Sequence, residues 1–167
     1  VLIGTSALLV LYEKGEFTTF TKDDALAHPG VLAIDVSELT GDVWIGTLGG
    51  MNRYSGGQFT TFNQFNSGLA NDVVYSVVMY RGELWAATTA GTSRLDPKTG
   101  KLNWHADTKA NRLVNGSLVC HDGVAYVTAS EGRTAIRLGS RSTSANRRGL
   151  SRRSPDGSKT EKGWFCP

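Results

Sequence analysis

Cysteine and proline are scarce in this 167-residue chain, with 2 and 4 copies, and no long apolar run occurs. Cys120 and Cys166 lie far apart in sequence, so a disulfide between them is possible but not the expected state, and with no C-x-x-C pair nothing suggests metal or redox work. Cys120 sits in the apolar segment Leu118-Val119-Cys120 and is read as a small buried hydrophobe. The stretch Ala7-Leu8-Leu9-Val10-Leu11-Tyr12 is too short to span a bilayer and lacks the basic start of a signal peptide. Starting at Val1, inside a repeat unit, the chain is expected to be a fragment of a longer protein.

Also missing are a nucleophile elbow G-x-S-x-G, a phosphate loop, an H-E-x-x-H pair and a calcium loop. No cofactor or metal is therefore expected. His28, His105 and His121 occupy unrelated positions and read as surface or turn residues rather than as an acid/base set. Asp23-Asp24 and Asn71-Asp72 lack the alternating spacing of a cation loop and read as solvated loop groups. Asn115-Gly116-Ser117 matches a glycosylation sequon to which no role is attached.

Charge is unevenly spread. The net charge is +3 and the pI near 9.0, values that would ordinarily suggest an anionic partner. Residues 1–136 nevertheless carry 10 Lys/Arg against 13 Asp/Glu, whereas residues 137–167 carry 8 against 2. From Gly139 to Lys162 only Ala145 and Leu150 are apolar, so residues 139–167 are expected to be a basic tail, disordered or not native to the domain. Arg147-Arg148 and Arg152-Arg153 have no interleaved aromatics, and no nucleic-acid partner is expected.

What the chain has in quantity is glycine, 20 residues, and a repeat. Gly41-Asp42-Val43-Trp44-Ile45-Gly46-Thr47 aligns with Gly82-Glu83-Leu84-Trp85-Ala86-Ala87-Thr88 and with Gly123-Val124-Ala125-Tyr126-Val127-Thr128-Ala129, each step being 41 residues. Gly50, Gly91 and Gly132 keep the same period, as do Arg53 with Arg94. Gly15-Glu16-Phe17-Thr18-Thr19-Phe20 matches Gly57-Gln58-Phe59-Thr60-Thr61-Phe62, and Ile3-Gly4-Thr5 precedes Ile45-Gly46-Thr47 by 42. Each unit reads as four short strands with turn residues between them and no helix-length segment of 3.6 periodicity. Four strands per ~41 residues is the blade of a propeller.

The expected fold is thus all-β, a partial β-propeller of about three four-stranded blades with an incomplete blade at the N-terminus. The repeats run over 1–14 in part, 15–56, 57–99 and 100–138. Trp44, Trp85 and Tyr126 suit packing positions between blades, Gly50, Gly91 and Gly132 suit turns, and Phe17, Phe20, Phe59 and Phe62 suit inter-blade packing rather than a ligand platform. Three blades cannot close a ring, so an unpaired blade face is expected at each end, to be met by further blades of the same parent chain.

The string from Gly41 to Tyr54, GDVWIGTLGGMNRY, resembles the repeat of the two-component regulator propeller family, G-x-L-W-I-G-T-x-x-G-L-x-R-Y. Val31-Leu32-Ala33-Ile34 and Gly68-Leu69-Ala70-Asn71-Asp72-Val73 resemble that family's other elements, and the likeness covers roughly residues 1–138. It implies a periplasmic or extracellular sensing domain of a bacterial hybrid sensor kinase, non-catalytic in itself, with a small-molecule or glycan ligand or a protein partner. The later segment Asp96-Pro97-Lys98-Thr99-Gly100-Lys101-Leu102-Asn103-Trp104 is more similar to the turn of quinoprotein-type repeats, which gives the alternative of an enzyme-associated propeller of the quinoprotein or lyase kind. A filter-binding assay at low salt is expected to show no DNA retention by the chain, with or without residues 139–167; salt-sensitive binding lost on that deletion would make the tail a nucleic-acid arm.

Overall fold

The computed structural model describes residues 1–107, 117–122, 124–129, 132–137 and 164–165. The strands are short because turn residues recur every few positions. Sheet 1 has three strands in sequence order, β1 (Leu2–Gly4), β2 (Leu9–Glu13) and β3 (Glu16–Phe20). Sheet 2 follows with β4 (Val31–Val36), β5 (Val43–Thr47), β6 (Gly50–Ser55) and β7 (Gln58–Phe62), and sheet 3 with β8 (Val74–Tyr80), β9 (Glu83–Thr88), β10 (Gly91–Leu95) and β11 (Leu102–Asp107). Sheet 4 holds β12 (Leu118–His121), β13 (Val124–Ala129), β14 (Gly132–Arg137) and β15 (Trp164–Phe165). Sheets 1 to 3 are antiparallel meanders throughout.

Two details differ from the sequence expectation. The sheets are cut one strand later than the repeat frame: Gln58–Phe62 closes sheet 2 instead of opening sheet 3, because it pairs with β6 (Tyr54↔Phe59, Met51↔Phe62). The period is the same in either frame, and hydrogen bonding alone decides which strands share a sheet. The second difference lies in the basic tail, most of which falls outside the described residues. Trp164–Phe165 pairs in parallel with β14, Ile136 opposite Trp164, at the place held by an antiparallel strand in sheets 2 and 3.

Between sheets 2 and 3 the Asn-rich connection contains a short helix, α1 (Gln64–Ser67). Asn63 caps it by accepting from the Phe65 and Asn66 amides, and Gly68 stops it in the left-handed conformation (φ 83°). Thr21 and Asp24 form the same reciprocal capping box at the preceding connection, where Lys22–Asp24 makes one 3-10 turn. Both connections insert a buried leucine, Leu26 or Leu69, between sheets.

Adjacent sheets approach one another most closely at their first strands, β4, β8 and β12. Apolar clusters fill the gaps. Leu9 joins Val31, Val43 and Ile45 between sheets 1 and 2, with Phe20 and Phe59 packed against them. Trp44, Met51 and Phe62 meet Val74, Val77, Leu84, Ala86 and Leu95 between sheets 2 and 3. Trp85 and Ala87 meet Leu118, Ala125 and Val127 between sheets 3 and 4. Alternation of side chains along each strand delivers residues to both gaps, so both faces of each inner sheet are apolar.

The hairpin after the Trp strand is held by its threonine. Thr47 Oγ1 donates to the Gly50 carbonyl (2.7 Å) and accepts from the Gly49 amide (3.1 Å), and Thr88 does the same with Gly91 (2.9 Å) and Ala90 (3.3 Å). Gly50 and Gly91 lie at φ 132° and 146°, and a Cβ on Gly50 would come 2.7 Å from the Phe62 carbonyl oxygen. Gly132 takes the matching place opposite Ala129. Truncating Trp44 to Ala is expected to destabilise the chain by about 3–5 kcal/mol. Tyr126→Ala, at the equivalent but exposed position, is expected to cost less than about 1 kcal/mol. Urea denaturation of both variants checks this contrast.

Candidate functional site

The first strands carry a repeated irregularity. Along β4 the register with β5 shifts between Val31 and Ala33, leaving Leu32 unpaired, and along β8 it shifts between Val74 and Ser76, leaving Tyr75 unpaired. A β-bulge of this kind re-aims one side chain and bends the strand. Leu32 and Tyr75 both line a cleft of about 510 Å³ that runs across the three inner strands, together with Ala33, Ser76, Ser117, Leu118 and Val119. Among the described residues, those that line the cleft carry no charge. They offer apolar surface, one phenol and two serine hydroxyls, a mixture suited to a neutral ligand. A second hollow, about 320 Å³ and lined in part by Leu11, Asp42 and Tyr54, opens between sheets 1 and 2.

None of the repeating Trp/Tyr, Gly and Phe positions lines the inner-strand cleft, although Leu32 and Ala33 belong to the segment Val31-Leu32-Ala33-Ile34 that carries part of the family likeness. Trp44 and Trp85 are buried between sheets, each with an arginine guanidinium 5.9 Å from its ring centroid. Arg53 also reaches across to sheet 3, donating to the Lys98 carbonyl at 3.0 Å. Phe20 contacts Tyr54 and Phe59 across the first gap (5.7 and 5.1 Å), and Phe62 contacts Trp44 (5.5 Å). Phe17 departs from the expected inter-blade packing: it lies on Tyr12 of its own sheet (4.7 Å) and is exposed. Tyr126 is likewise exposed. Each belongs to an end sheet, where no neighbouring sheet covers the face it shares.

The polar candidates are committed to local structure. His28 Nδ1 accepts from the Gly30 amide (2.9 Å), and His121 Nε2 lies 3.3 Å from Asp122 at an exposed turn. Asp24 serves the capping box, while Asp72 accepts from the Gln64 amide at 2.7 Å. Asp96, in the segment similar to quinoprotein repeats, accepts from the Lys98 and Thr99 amides (2.7 and 3.1 Å) and so closes a turn. Among the described residues no group of three His, Cys, Asp or Glu side chains is placed to hold a metal ion.

Sequence reasoning missed two kinds of residue. Asn52, fully buried, accepts from the Ala27 amide (2.7 Å) and donates to the Ala25 carbonyl (3.0 Å), pinning the first connection to sheet 2. Ser93, 41 residues on, accepts from the Ala70 amide (3.1 Å) and does the same for the second connection. The shared period was a signal for that role, although the side chains differ. The bulges at Leu32 and Tyr75 had no such signal.

No family model and no curated protein sequence matches the chain. Solved structures do. The extracellular domain of BT4673 from B. thetaiotaomicron, described as a hybrid two-component system, superposes with a TM-score of 0.60 over 96% of this chain at 16% identity. The fold is that of a partial β-propeller. BamB from Moraxella catarrhalis gives a TM-score of 0.57 over 82% of the chain at 13% identity. PorZ, a surface component of the type-IX secretion system of Porphyromonas gingivalis, gives 0.53 over 82% at 15%. The chain spans 20% of the BT4673 domain, 41% of BamB and 22% of PorZ. At these identities the likeness is one of fold. Among the described residues no helix is long and apolar enough to cross a membrane.

Cys120 is a free thiol on β12, half-buried against the cluster between sheets 3 and 4. Burial, reinforced by the carboxylates of Glu83 and Asp35, pushes its pKa up to about 11. Because the folded state holds the proton more tightly, the associated stability is complete below about pH 9 and is lost as pH rises toward about 11. In a Cys166→Ser background, iodoacetamide is expected to label Cys120 on the order of 100-fold more slowly at neutral pH than it labels an unperturbed thiol, with the rate climbing toward pH 11.

Proposed function

We propose that this propeller segment is a non-catalytic recognition module from the sensor region of a bacterial two-component protein, working outside the cytoplasm and binding a neutral small molecule or glycan across its inner strands. The observation that carries this reading is the uncharged cleft built around the bulged residues Leu32 and Tyr75. Bulges at matching places in two sheets cost ladder hydrogen bonds, and here both present a side chain to one cleft. A hydrolase or lyase needs a base and an acid within reach of substrate. Among the described residues that line the cleft there is no histidine, carboxylate or lysine to serve. Aromatic and hydroxyl groups together suit stacking on, and hydrogen bonding to, a sugar ring or similar neutral ligand.

The sensing context draws on the repeat string from Gly41 to Tyr54 and on the fold shared with the BT4673 extracellular domain. Amide-resolved NMR titration of the chain with a panel of neutral mono- and oligosaccharides tests the site. Shifts are expected to cluster on Leu32, Ala33, Tyr75 and Ser76, and Tyr75→Ala should weaken binding by roughly 10-fold. Shifts confined to the outer strands, or binding indifferent to Tyr75, would overturn the assignment.

A further inference from the structure

The gaps between sheets follow one plan, and the first gap departs from it at a single cross-strand pair. In sheet 2 Trp44 stands opposite Arg53, and in sheet 3 Trp85 stands opposite Arg94. The residues 42 positions before Trp44 and Arg53 are Leu2 and Leu11, which face each other in sheet 1 in the same way. Two isobutyl groups thus replace an indole and a guanidinium. Between sheets 2 and 3 Trp44 is fully buried, and Arg53 crosses to the turn of sheet 3, where its guanidinium donates to the carbonyls of Lys98 (3.0 Å) and Pro97 (3.5 Å).

The hollow of about 320 Å³ between sheets 1 and 2 coincides with the place of that pair. Leu2 and Leu11 line it from sheet 1. Val43 and Tyr54 line it from sheet 2, and they are the equivalents of Leu84 and Leu95, which share a cluster with Trp44 in the next gap. Ser55 and Gly56 also line it, 41 residues before Asp96 and Pro97, so the turn that meets a guanidinium in one gap has a leucine, Leu11, before it in the other. The wall is acidic. Glu13 shares the face of Leu11 by strand alternation, and Asp42 adds a second carboxylate from sheet 2. Asp42 is fixed by its turn, its carbonyl accepting from the Ser37 amide (2.8 Å) and its amide donating to the Thr40 hydroxyl (3.3 Å). Among the described residues neither carboxylate belongs to an ion pair. The one cation on the wall, the α-ammonium of Val1, donates to the Tyr12 carbonyl (2.8 Å).

We propose that this hollow binds an alkylguanidinium ligand, the chemical class of the arginine side chain, in the place that Arg53 fills one gap further on. The alkyl part lies on Leu2 and Leu11, and the planar fork of N–H donors meets the Ser55-Gly56 turn and the carboxylates of Glu13 and Asp42. Tyr54 supplies an aromatic ring to the same wall, a surface on which a guanidinium stacks. A simple ammonium is compact and strongly hydrated and has no planar face, so it suits the site less well. The hollow is distinct from the inner-strand cleft around Leu32 and Tyr75, whose described lining residues carry no charge, and either site can be tested without the other.

Amide-resolved NMR titration of the chain with ethylguanidinium, at millimolar concentrations far below denaturing ones, tests the proposal. Saturable shifts are expected at Leu11, Glu13, Asp42 and Tyr54, with no such response to ethylurea, which has a similar shape and no charge. Glu13→Gln combined with Asp42→Asn, at an exposed and a half-buried position, should keep the fold and weaken binding by about 5-fold. Leu11→Arg supplies the guanidinium from the chain itself, and it should abolish binding and raise the melting temperature with an unchanged circular dichroism spectrum. Equal responses to the two probes, shifts scattered over surface carboxylates, or undiminished binding by the double variant would each overturn the proposal. Should Leu11→Arg fail to fold, the double variant and the ethylurea comparison decide the matter on their own.

Discussion

Trp44 and Trp85 are almost wholly buried although each stands on a sheet a single layer thick. That is possible only because a second sheet lies over the ring. No sheet here has a core of its own; each gains one only against its neighbour, through the clusters around Leu9, Trp44 and Trp85. Stability is therefore a matter of successive interfaces, as in other repeat architectures. Removing a neighbour exposes the equivalent residues, which is the condition of Phe17 at one end and Tyr126 at the other.

Polar groups set the distances at which those interfaces form. Thr47 and Thr88 lock the hairpin beside each tryptophan, and Asn52 and Ser93 fasten the connecting segments, so that Leu26 and Leu69 enter the gaps at a fixed place. A buried amide such as Asn52 must have its donors and acceptors met, and the backbone at Ala25 and Ala27, with the Thr61 hydroxyl, meets them. With spacing fixed in this way, the first strands converge. The bulges at Leu32 and Tyr75 then determine what lines the space between them.

The architecture was legible in the sequence because a blade is a local object. The positions of Trp44, Trp85 and Tyr126, of Gly50, Gly91 and Gly132, and of Arg53 and Arg94 repeat every 41 residues, and strand alternation converts that period directly into sheets. The turn at Asp96 to Gly100 is equally local, and so is the short capped helix after Asn63. Phe20 and Phe59 lie together in the gap between sheets 1 and 2, and Phe62 lies on Trp44 beside the next gap.

Other features arise from contacts between distant residues, and no local pattern announces them. Which sheet owns Gln58–Phe62 depends on hydrogen bonds to β6, and Trp164 meets Ile136 across an intervening 27 residues of different character. The cleft is assembled from β4, β8 and β12, whose members are about 40 residues apart, and its two bulged residues share neither size nor chemistry. By itself the sequence determined a chain of four-part strand units with an aromatic residue at one packing position in three of them. Only the tertiary structure decided which of those aromatics are covered, because burial belongs to the presence of a neighbouring sheet and not to the residue that needs one.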